Sequence, residues 1–534
     1  MSFQGKSDAP VRYLTTSIPY VNAEPHIGFA LELVQADVLA RHYRSSGCEV
    51  RFQTGTDENS LKNVRAAEAL GVPVPQLVAE NAAKFLSLKE ALRLSFNDFI
   101  RTSSHDRHRT GAERLWRACV AAGDVYKRAY RGLYCVGCEA FYKPADLIDG
   151  CCPEHGIPPE DIDEENWFFR LSRYEKDLRN AYERRTIEIV PEWRRDEILG
   201  WIEQGLEDFS ISRSAARARG WGVPVPGDPD QVMYVWFDAL GNYLTALDYG
   251  AGGDDFSRFW LNPSSREHVI GKGILRFHAI YWPAILLSAA LPLPTRILVH
   301  GYVTVDGKKI GKSLGNAIDP VPLAQQLGSD ALRYYLLRHI RSTGDGDFSS
   351  ERFAQAYDSE LAGQLGNLAH RVLSMIERYC DGVVPEPLAD YETGNSISRS
   401  ARALPDTVSK HLESFRFDKA LGAIWRLVAE ANKYVSDVQP WSLAKANGDD
   451  TAAPSRKKLD RCLYDLAFVL HTVARCLEPL LPEKSRELFR KLGCDDSLQD
   501  LLIGNGVVTG IPLFPRHDRA DKCIREHPKG YRAG

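Results

Sequence analysis

No apolar run in this sequence is long enough to cross a bilayer. The longest uncharged stretch, Ala279 to Thr295, falls short of about 20 residues and is broken by Pro283, Pro292 and Pro294. It reads as a buried helix running into a turn, and no membrane partner is expected. Neither charge sign dominates, because 67 Lys+Arg stand against 71 Asp+Glu for a net charge of −4. That balance excludes the overall basicity of a non-specific nucleic-acid binder, so a nucleic-acid partner has to be held on a local surface. The N-terminal MSFQGKSDAPVRYL lacks the apolar core of a secretory signal, which predicts a cytoplasmic address. Internal repeats and low-complexity tracts are absent too. The 11 cysteines are odd in number and scattered, a poor basis for a disulfide framework.

What remains is a long chain of ordinary globular composition. Its 534 residues, 44% apolar and 26% charged, exceed what one hydrophobic core organises and imply about three or four domains. The first third alternates strand-like runs (Arg12 to Ile18, Glu49 to Gln53) with helical ones (Ala30 to Tyr43, Leu61 to Leu70). This alternation predicts a doubly wound α/β domain with a parallel sheet and crossover helices. From about Thr110 to Trp201 the pattern breaks, and the acidic run Glu160 to Glu165 reads as a surface connection within an insertion. Strand and helix signals resume near Asp208, through Met233 to Leu240, His268 to Ile274 and Arg296 to Val305. Beyond Ser349 helical periodicity takes over, through Ala354 to Tyr379, Ser396 to Val438 and Ser455 to Leu492, which predicts a separate helical bundle. Phe514 to Gly534 read as a polar, flexible tail.

Three local patterns carry chemistry. In Ile18 to Tyr43 a strand end and a Pro-containing loop lead into His26-Ile27-Gly28 and an amphipathic helix. A helix start offers unpaired N–H groups, Gly28 allows close backbone approach, and His26 can donate to a phosphate oxygen; a histidine satisfied by its own backbone is the plainer reading of the tetrapeptide alone. In Val305 to Asn316 (VDGKKIGKSLGN), Lys309 and Lys312 sit in a Gly-rich loop after a strand pair. They can neutralise charge developing on a triphosphate, where an isolated lysine-rich turn would be a solvated face. Third, Cys135-x2-Cys138, thirteen intervening residues and Cys152-x2-His155 give Cys3His spacing suited to tetrahedral Zn2+, with Cys151 as a spare thiol.

The first two patterns together resemble the signature sequences of class I aminoacyl-tRNA synthetases, and the rest of the chain is similar to methionyl-tRNA synthetases. Blocks carrying the likeness run in order from TTSIPYVNAEPHIG through TGTDE, DFSISR, YVWFDALGNYLTALDY, HVIGKGILRFHAIYWPAIL and GKKIGKSLGN to GQLGNLAHR and QPWSLAK. The resemblance implies a Rossmann-like catalytic domain split by a zinc-containing insertion and followed by an α-helical anticodon-binding bundle. The expected segments are 1–114 and 206–350 for the two catalytic halves, 115–205 for the inserted acceptor-binding domain, 351–515 for the bundle and 516–534 for the tail.

The same likeness assigns residues. Ile18, Tyr20, Trp236, Ala239, Tyr243 and His278 surround a methionine side chain, and Asp57 holds its α-ammonium. An aromatic cage with one hydroxyl donor suits a weakly polar thioether. His26, Gly28, Lys309, Lys312 and Ser313 bind ATP with its Mg2+, and His26, Lys272, Lys309 and Lys312 stabilise phosphate charge during catalysis. Asn367, Arg371 and Trp441 read the anticodon of a tRNA, the indole stacking on an unpaired base. Cys135, Cys138, Cys152 and His155 hold a structural Zn2+. A monomer is expected.

Four departures from the family pattern lie near the chemistry: Phe29 replaces the second signature His, Asn59-Ser60 a His-Gly, Gly273 an Asp, and Gly311 a Ser. Each is expected to weaken a contact to ATP. Three readings stay open at this stage: a methionine-tRNA ligase, a paralogue that activates an amino acid and passes it to a small molecule, and a non-catalytic tRNA-binding regulator.

Overall fold

The computed structural model describes residues 9–137, 140–153, 156–310, 315–386, 396–445, 452–494 and 503–516. The chain divides into two units: Met1–Pro25, Tyr43–Lys89 and Leu94–His300 form the first, and His26–His42, Glu90–Arg93 and Gly301–Gly534 the second.

At the centre of the first unit is a six-stranded sheet with the order Asp98–Arg101, Glu49–Thr56, Val11–Thr16, Ser265–Gly271, Arg296–His300, Glu188–Val190. Every neighbouring pair is parallel. Strands covered on both faces bury nearly every side chain, and Val11–Thr16 and Glu49–Thr56 do so along their C-terminal halves. Their buried hydroxyls pair with each other, Thr16 Oγ1 donating to Thr54 Oγ1 at 2.7 Å. The sheet grows in both directions from Val11–Thr16, so the strand order reverses between that strand and Ser265–Gly271. Crevices at such switch points, beyond the carboxyl ends of the strands, are where open α/β sheets bind ligands. Beneath lies a core containing Tyr13, Trp116, Phe237, Trp260, Ile270 and Trp282.

The helix expected over Leu61 to Leu70 forms over those same residues, started by Ser60, whose side chain accepts from the Lys62 N–H, and ended by Gly71 in the left-handed region. Within the stretch expected as an insertion, Glu188–Val190 joins the edge of the central sheet, and Val125–Cys135, Ala140–Tyr142 and Glu160–Phe169 build a second sheet with Phe209–Ser210. In that second sheet Val125–Cys135 pairs antiparallel with both Ala140–Tyr142 and Glu160–Phe169. This overturns one expectation, since the acidic run Glu160 to Glu165 is a strand and not a connection. Its burial alternates, and the carboxylates on it meet cations, Asp161 pairing with Arg131 at 2.9 Å and Glu160 with Arg65 at 2.6 Å. Cross-strand charge pairing makes a strand from a composition that reads as loop.

In the second unit Val303–Val305 pairs with Lys308–Lys309 in a hairpin and with Gly346–Phe348 in parallel. The two-residue turn Asp306-Gly307 has φ of 49° and 74°, the double positive φ that favours Asp-Gly. Helices dominate beyond it. The run expected over Ala354 to Tyr379 is continuous but changes pitch: Ser350–Ala356 is α, Tyr357–Gly366 is wound as a π-helix, and Asn367–Tyr379 is α again. Ser396–Glu413, Phe417–Val438, Ala452–Leu477 and Pro482–Lys491 follow. The expected flexible tail is corrected at its start, because Phe514 is 3% exposed and packs edge-on to Tyr357. Among the described residues no helix is long and apolar enough to cross a membrane.

Candidate active site

The carboxyl edge of the parallel sheet gathers the residues assigned to methionine. Just beyond Val11–Thr16 and Glu49–Thr56 the two chains stay paired for one further step: Tyr20 and Asp57 form a parallel bridge, with the Asp57 N–H donating to Pro19 O at 2.9 Å. Asp57 is buried and Ile18 and Tyr20 are half-buried. The short helix Val235–Leu240 carries Trp236 and Ala239. Tyr20 meets Trp236 edge-on at 6.5 Å and 74°, and Phe277 stacks flat on the other side of the indole at 3.8 Å and 5°. His278 meets the same indole edge-on at 6.3 Å.

Tyr243 and His278 are locked by a hydrogen-bond chain whose polarity can be worked out. His278 Nδ1 lies 2.9 Å from Ile274 O, and a carbonyl only accepts, so Nδ1 carries the proton. In the neutral ring Nε2 then accepts, and the Tyr243 hydroxyl donates to it at 2.7 Å. Next to them His268 lies tilted at 32° against the Tyr243 ring, 4.2 Å between centroids. Its Nε2 accepts from the Trp282 indole N–H at 3.2 Å, which leaves Nδ1 to donate to Thr15 Oγ1 at 2.7 Å. Burial first, then His278 and Arg266, push the His268 pKa well below the usual imidazole range, so this pocket floor stays uncharged. One buried carboxylate near a cluster of aromatic rings suits a ligand with an ammonium at one end and a polarizable apolar group at the other. Lys272 follows at once on Ser265–Gly271, half-buried in a single 3-10 turn.

In the second unit His26 stands at the start of helix Ile27–Ser45. Its Nδ1 accepts the Gly28 N–H at 3.1 Å, which puts the ring proton on Nε2 as a donor. Burial lowers its pKa, so the ring is a neutral donor at pH 7. The requirement for glycine at position 28 is steric: a Cβ there would lie 3.0–3.1 Å from the His26 ring. Lys309 is exposed on the Asp-Gly hairpin, its ammonium 5.4 Å from the Tyr302 ring centroid, while its carbonyl accepts from the Asn316 amide. Gly311, Lys312 and Ser313 lie outside the described residues, as do Cys138 and His155 of the expected zinc set. Of that set Cys135 and Cys152 are each 1% exposed, whereas Cys151 is half-buried. Among the described residues no three metal-ligating side chains gather. Asn367 is exposed at the start of Asn367–Tyr379, and one turn on Arg371 lies over the Trp441 ring at 5.9 Å.

The family model for class I tRNA synthetases (M) matches residues 12–163 and 142–373. The chain belongs to this family. It is 41% identical over 522 residues to the methionine–tRNA ligase of Brucella suis, covering 96% of this chain and 98% of that one. The methionine–tRNA ligase of Thermotoga maritima is 39% identical over 521 residues, 95% of this chain and 81% of its own length. Among solved structures, the Mycobacterium tuberculosis methionyl-tRNA synthetase in complex with methionyl-adenylate superposes with a TM-score of 0.89 at 40% identity, covering 95% of this chain and all of that one.

Set against the family pattern, one of the four departures, Asn59-Ser60, has local partners of its own. Ser60 is the helix cap described above. Asn59 turns its amide to Asp238 Oδ2 at 2.6 Å. Phe29 is half-buried in the first turn of helix Ile27–Ser45, its N–H donating to His26 O, and Gly273 is exposed. The sequence reading also missed Phe277, His268, Asp238 and His108. Phe277 and His268 stand inside the blocks that carry the likeness, and the alternation of aromatic and imidazole residues from His268 to Trp282 was the available signal. Nothing in the sequence pairs His108 with a residue 130 positions away.

Proposed function

We propose that this class I synthetase activates methionine with ATP, forming methionyl-adenylate and pyrophosphate, and then transfers the methionyl group to a methionine tRNA. Its supports are the whole-length likeness to methionine–tRNA ligases and, as the observation that carries most weight, the chain of contacts from Tyr20 through Trp236 and His278 to Tyr243, with Tyr20 bridged to buried Asp57. Asp57 binds the α-ammonium and the aromatic rings take the side chain, with the Tyr243 ring fixed by the bond from its hydroxyl to His278. His26 donates through Nε2 to the triphosphate, and Lys272, Lys309 and Lys312 offset negative charge as pyrophosphate leaves; Gly28 and Ser313 complete the ATP contacts. Mg2+ accompanies ATP and shields its phosphates. The tRNA terminal hydroxyl attacks the adenylate carbonyl, AMP departs, and no covalent enzyme intermediate forms. Asn367, Arg371 and Trp441 read the anticodon, the indole offering a stacking face edged by a guanidinium.

Two buried thiols, Cys135 at a strand end and Cys152 in a tight turn where it accepts the Gly156 N–H, are donors that fit a structural Zn2+ completed by Cys138 and His155. The ion would link the end of Val125–Cys135 to the turn at Cys152. The paralogue and regulator readings gain nothing from the comparisons, whose relatives over the full chain are ligases.

Amino-acid-dependent ATP–pyrophosphate exchange across all twenty amino acids, followed by charging of methionine tRNA, tests the proposal. Exchange with methionine alone, plus charging, is expected. Exchange with another amino acid, or exchange without charging, would sink it.

A further inference from the structure

Asn59 stands two residues beyond Asp57, where the family pattern has a histidine. Its backbone N–H donates to Asp57 Oδ1 at 3.3 Å, and its amide donates to Asp238 Oδ2 at 2.6 Å and to Thr102 O at 3.4 Å. Asp238 is fully buried on the helix Val235–Leu240, between Trp236 and Ala239. Its other oxygen lies 2.5 Å from Nε2 of His108, also fully buried, on the helix Asp106–Ala121. His108 Nδ1 meets Thr245 Oγ1 at 2.8 Å, and that hydroxyl donates to Asn242 O, the carbonyl just before Tyr243.

The carboxylate of Asp238 is therefore held from two sides by Asn59 and His108, and the bonds join three separate segments. One is the loop that presents Asp57, the second is the helix that presents Trp236 and Ala239, and the third is the buried helix of His108. Asp238 has one oxygen for each neighbour, so losing either leaves a buried, charged acceptor short of a partner, and the helix bearing Trp236 is free to relax.

We propose that Asn59, Asp238 and His108 are positioning residues that hold the Trp236 helix against the Asp57 loop, and so fix the distance between the ammonium and side-chain ends of the methionine pocket. This rests on the reading of Asp57 and Trp236 as methionine contacts. It also gives Asn59 a role separate from ATP: its amide supplies the N–H that an imidazole would supply at this place, so the departure from the family pattern keeps the bond.

The test is methionine-dependent ATP–pyrophosphate exchange on the full chain, with KM measured separately for methionine and for ATP. Asn59→Ala is expected to raise the methionine KM about tenfold, as for loss of one hydrogen bond to a charged group, and to leave the ATP KM within about twofold. Asn59→His is expected to return the methionine KM to within about threefold of the parent, because its ring N–H can reach the same carboxylate. In Asn59→Ala/Asp238→Asn the effect is expected to fall short of the product of the single effects, as it does for coupled groups. A rise in ATP KM with methionine KM unchanged, no change in either, or fully multiplicative effects would overturn the proposal. Failure of the parent protein itself to exchange with methionine would instead overturn the functional reading, and this proposal with it.

Discussion

Tyr243 and His278 are 35 positions apart, and their bond shows how one side chain acquires a direction. A tyrosine hydroxyl rotates freely unless something accepts from it, and His278 accepts only because Ile274 O has claimed its other nitrogen. Tyr243→Phe removes the donor and leaves the ring stack intact. A rise of about three- to tenfold in methionine KM is expected, with ATP KM unaltered; equal KM values for Phe and Tyr enzymes would show that the hydroxyl does not serve the ligand. Both residues were legible in the sequence because they fall in blocks that carry the family likeness. Asn59 and Ser60 were not: as departures they read as losses, and only their partners, the Asp238 carboxylate and the Lys62 N–H, show one bond to a buried carboxylate and one helix cap.

At the scale of elements, the signature helix depends on a missing side chain. Adding a methyl group in Gly28→Ala brings a Cβ to 3.0–3.1 Å from the His26 ring, tighter than ordinary contact, so the ring has to shift and its bond from the Gly28 N–H is weakened. The expected result is a fall in exchange kcat of about tenfold or more, by analogy with the loss of one aligned donor, with an unchanged far-ultraviolet spectrum. Parent-like kcat would mean the ring does not act from this position. The second sheet offers a different test. Because Cys152 is buried and Cys151 is not, Cys152→Ser is expected to lose stoichiometric zinc and lower the melting temperature by several degrees, whereas Cys151→Ser keeps both. Zinc retained in the Cys152 variant, measured by elemental analysis, would shift the ligand role to Cys151. That sheet also marks a limit of reading strands from composition, since its acidic strand is paid for by Arg131 and Arg65, cations 30 and 95 residues away.

Across the second unit as a whole, one buried cluster joins distant segments. Arg333, fully buried, donates to Asp37 at 2.7 Å, to Leu92 O and Pro479 O at 3.0 Å, and to Leu480 O at 2.8 Å. It thereby ties the signature helix to the C-terminal helices of its own unit. Three residues before it, Asp330 is buried and accepts the Lys484 N–H at 2.6 Å, and burial raises its pKa from 3.8 to about 6. The folded protein holds this proton more tightly than the unfolded chain, so the group favours folding at low pH. That contribution fades as pH rises from about 4 through about 6 and is absent above. Asp330→Asn, which cannot ionise, is expected to remove this fall and to be more stable than the parent above pH 6, by on the order of 2–3 kcal/mol. Urea unfolding at several pH values reads the difference; a constant gap between the two proteins from pH 4 to 7 would rule it out.

The sequence by itself determined the α/β alternation, the change to helix beyond Ser349, the Leu61–Leu70 helix and, through its signature strings, the family. All of these are periodicities or local strings, and local strings survive in one dimension because turn chemistry and helix starts are decided within a few residues. Tertiary structure alone decided that Glu188–Val190 closes the edge of the central sheet, that an acidic run is a strand, that Phe514 is core, and that Asn59, Asp238 and His108 meet. Those outcomes depend on which distant group arrives to satisfy a buried charge or cover an apolar ring, and that partner is chosen by the packing of the whole unit.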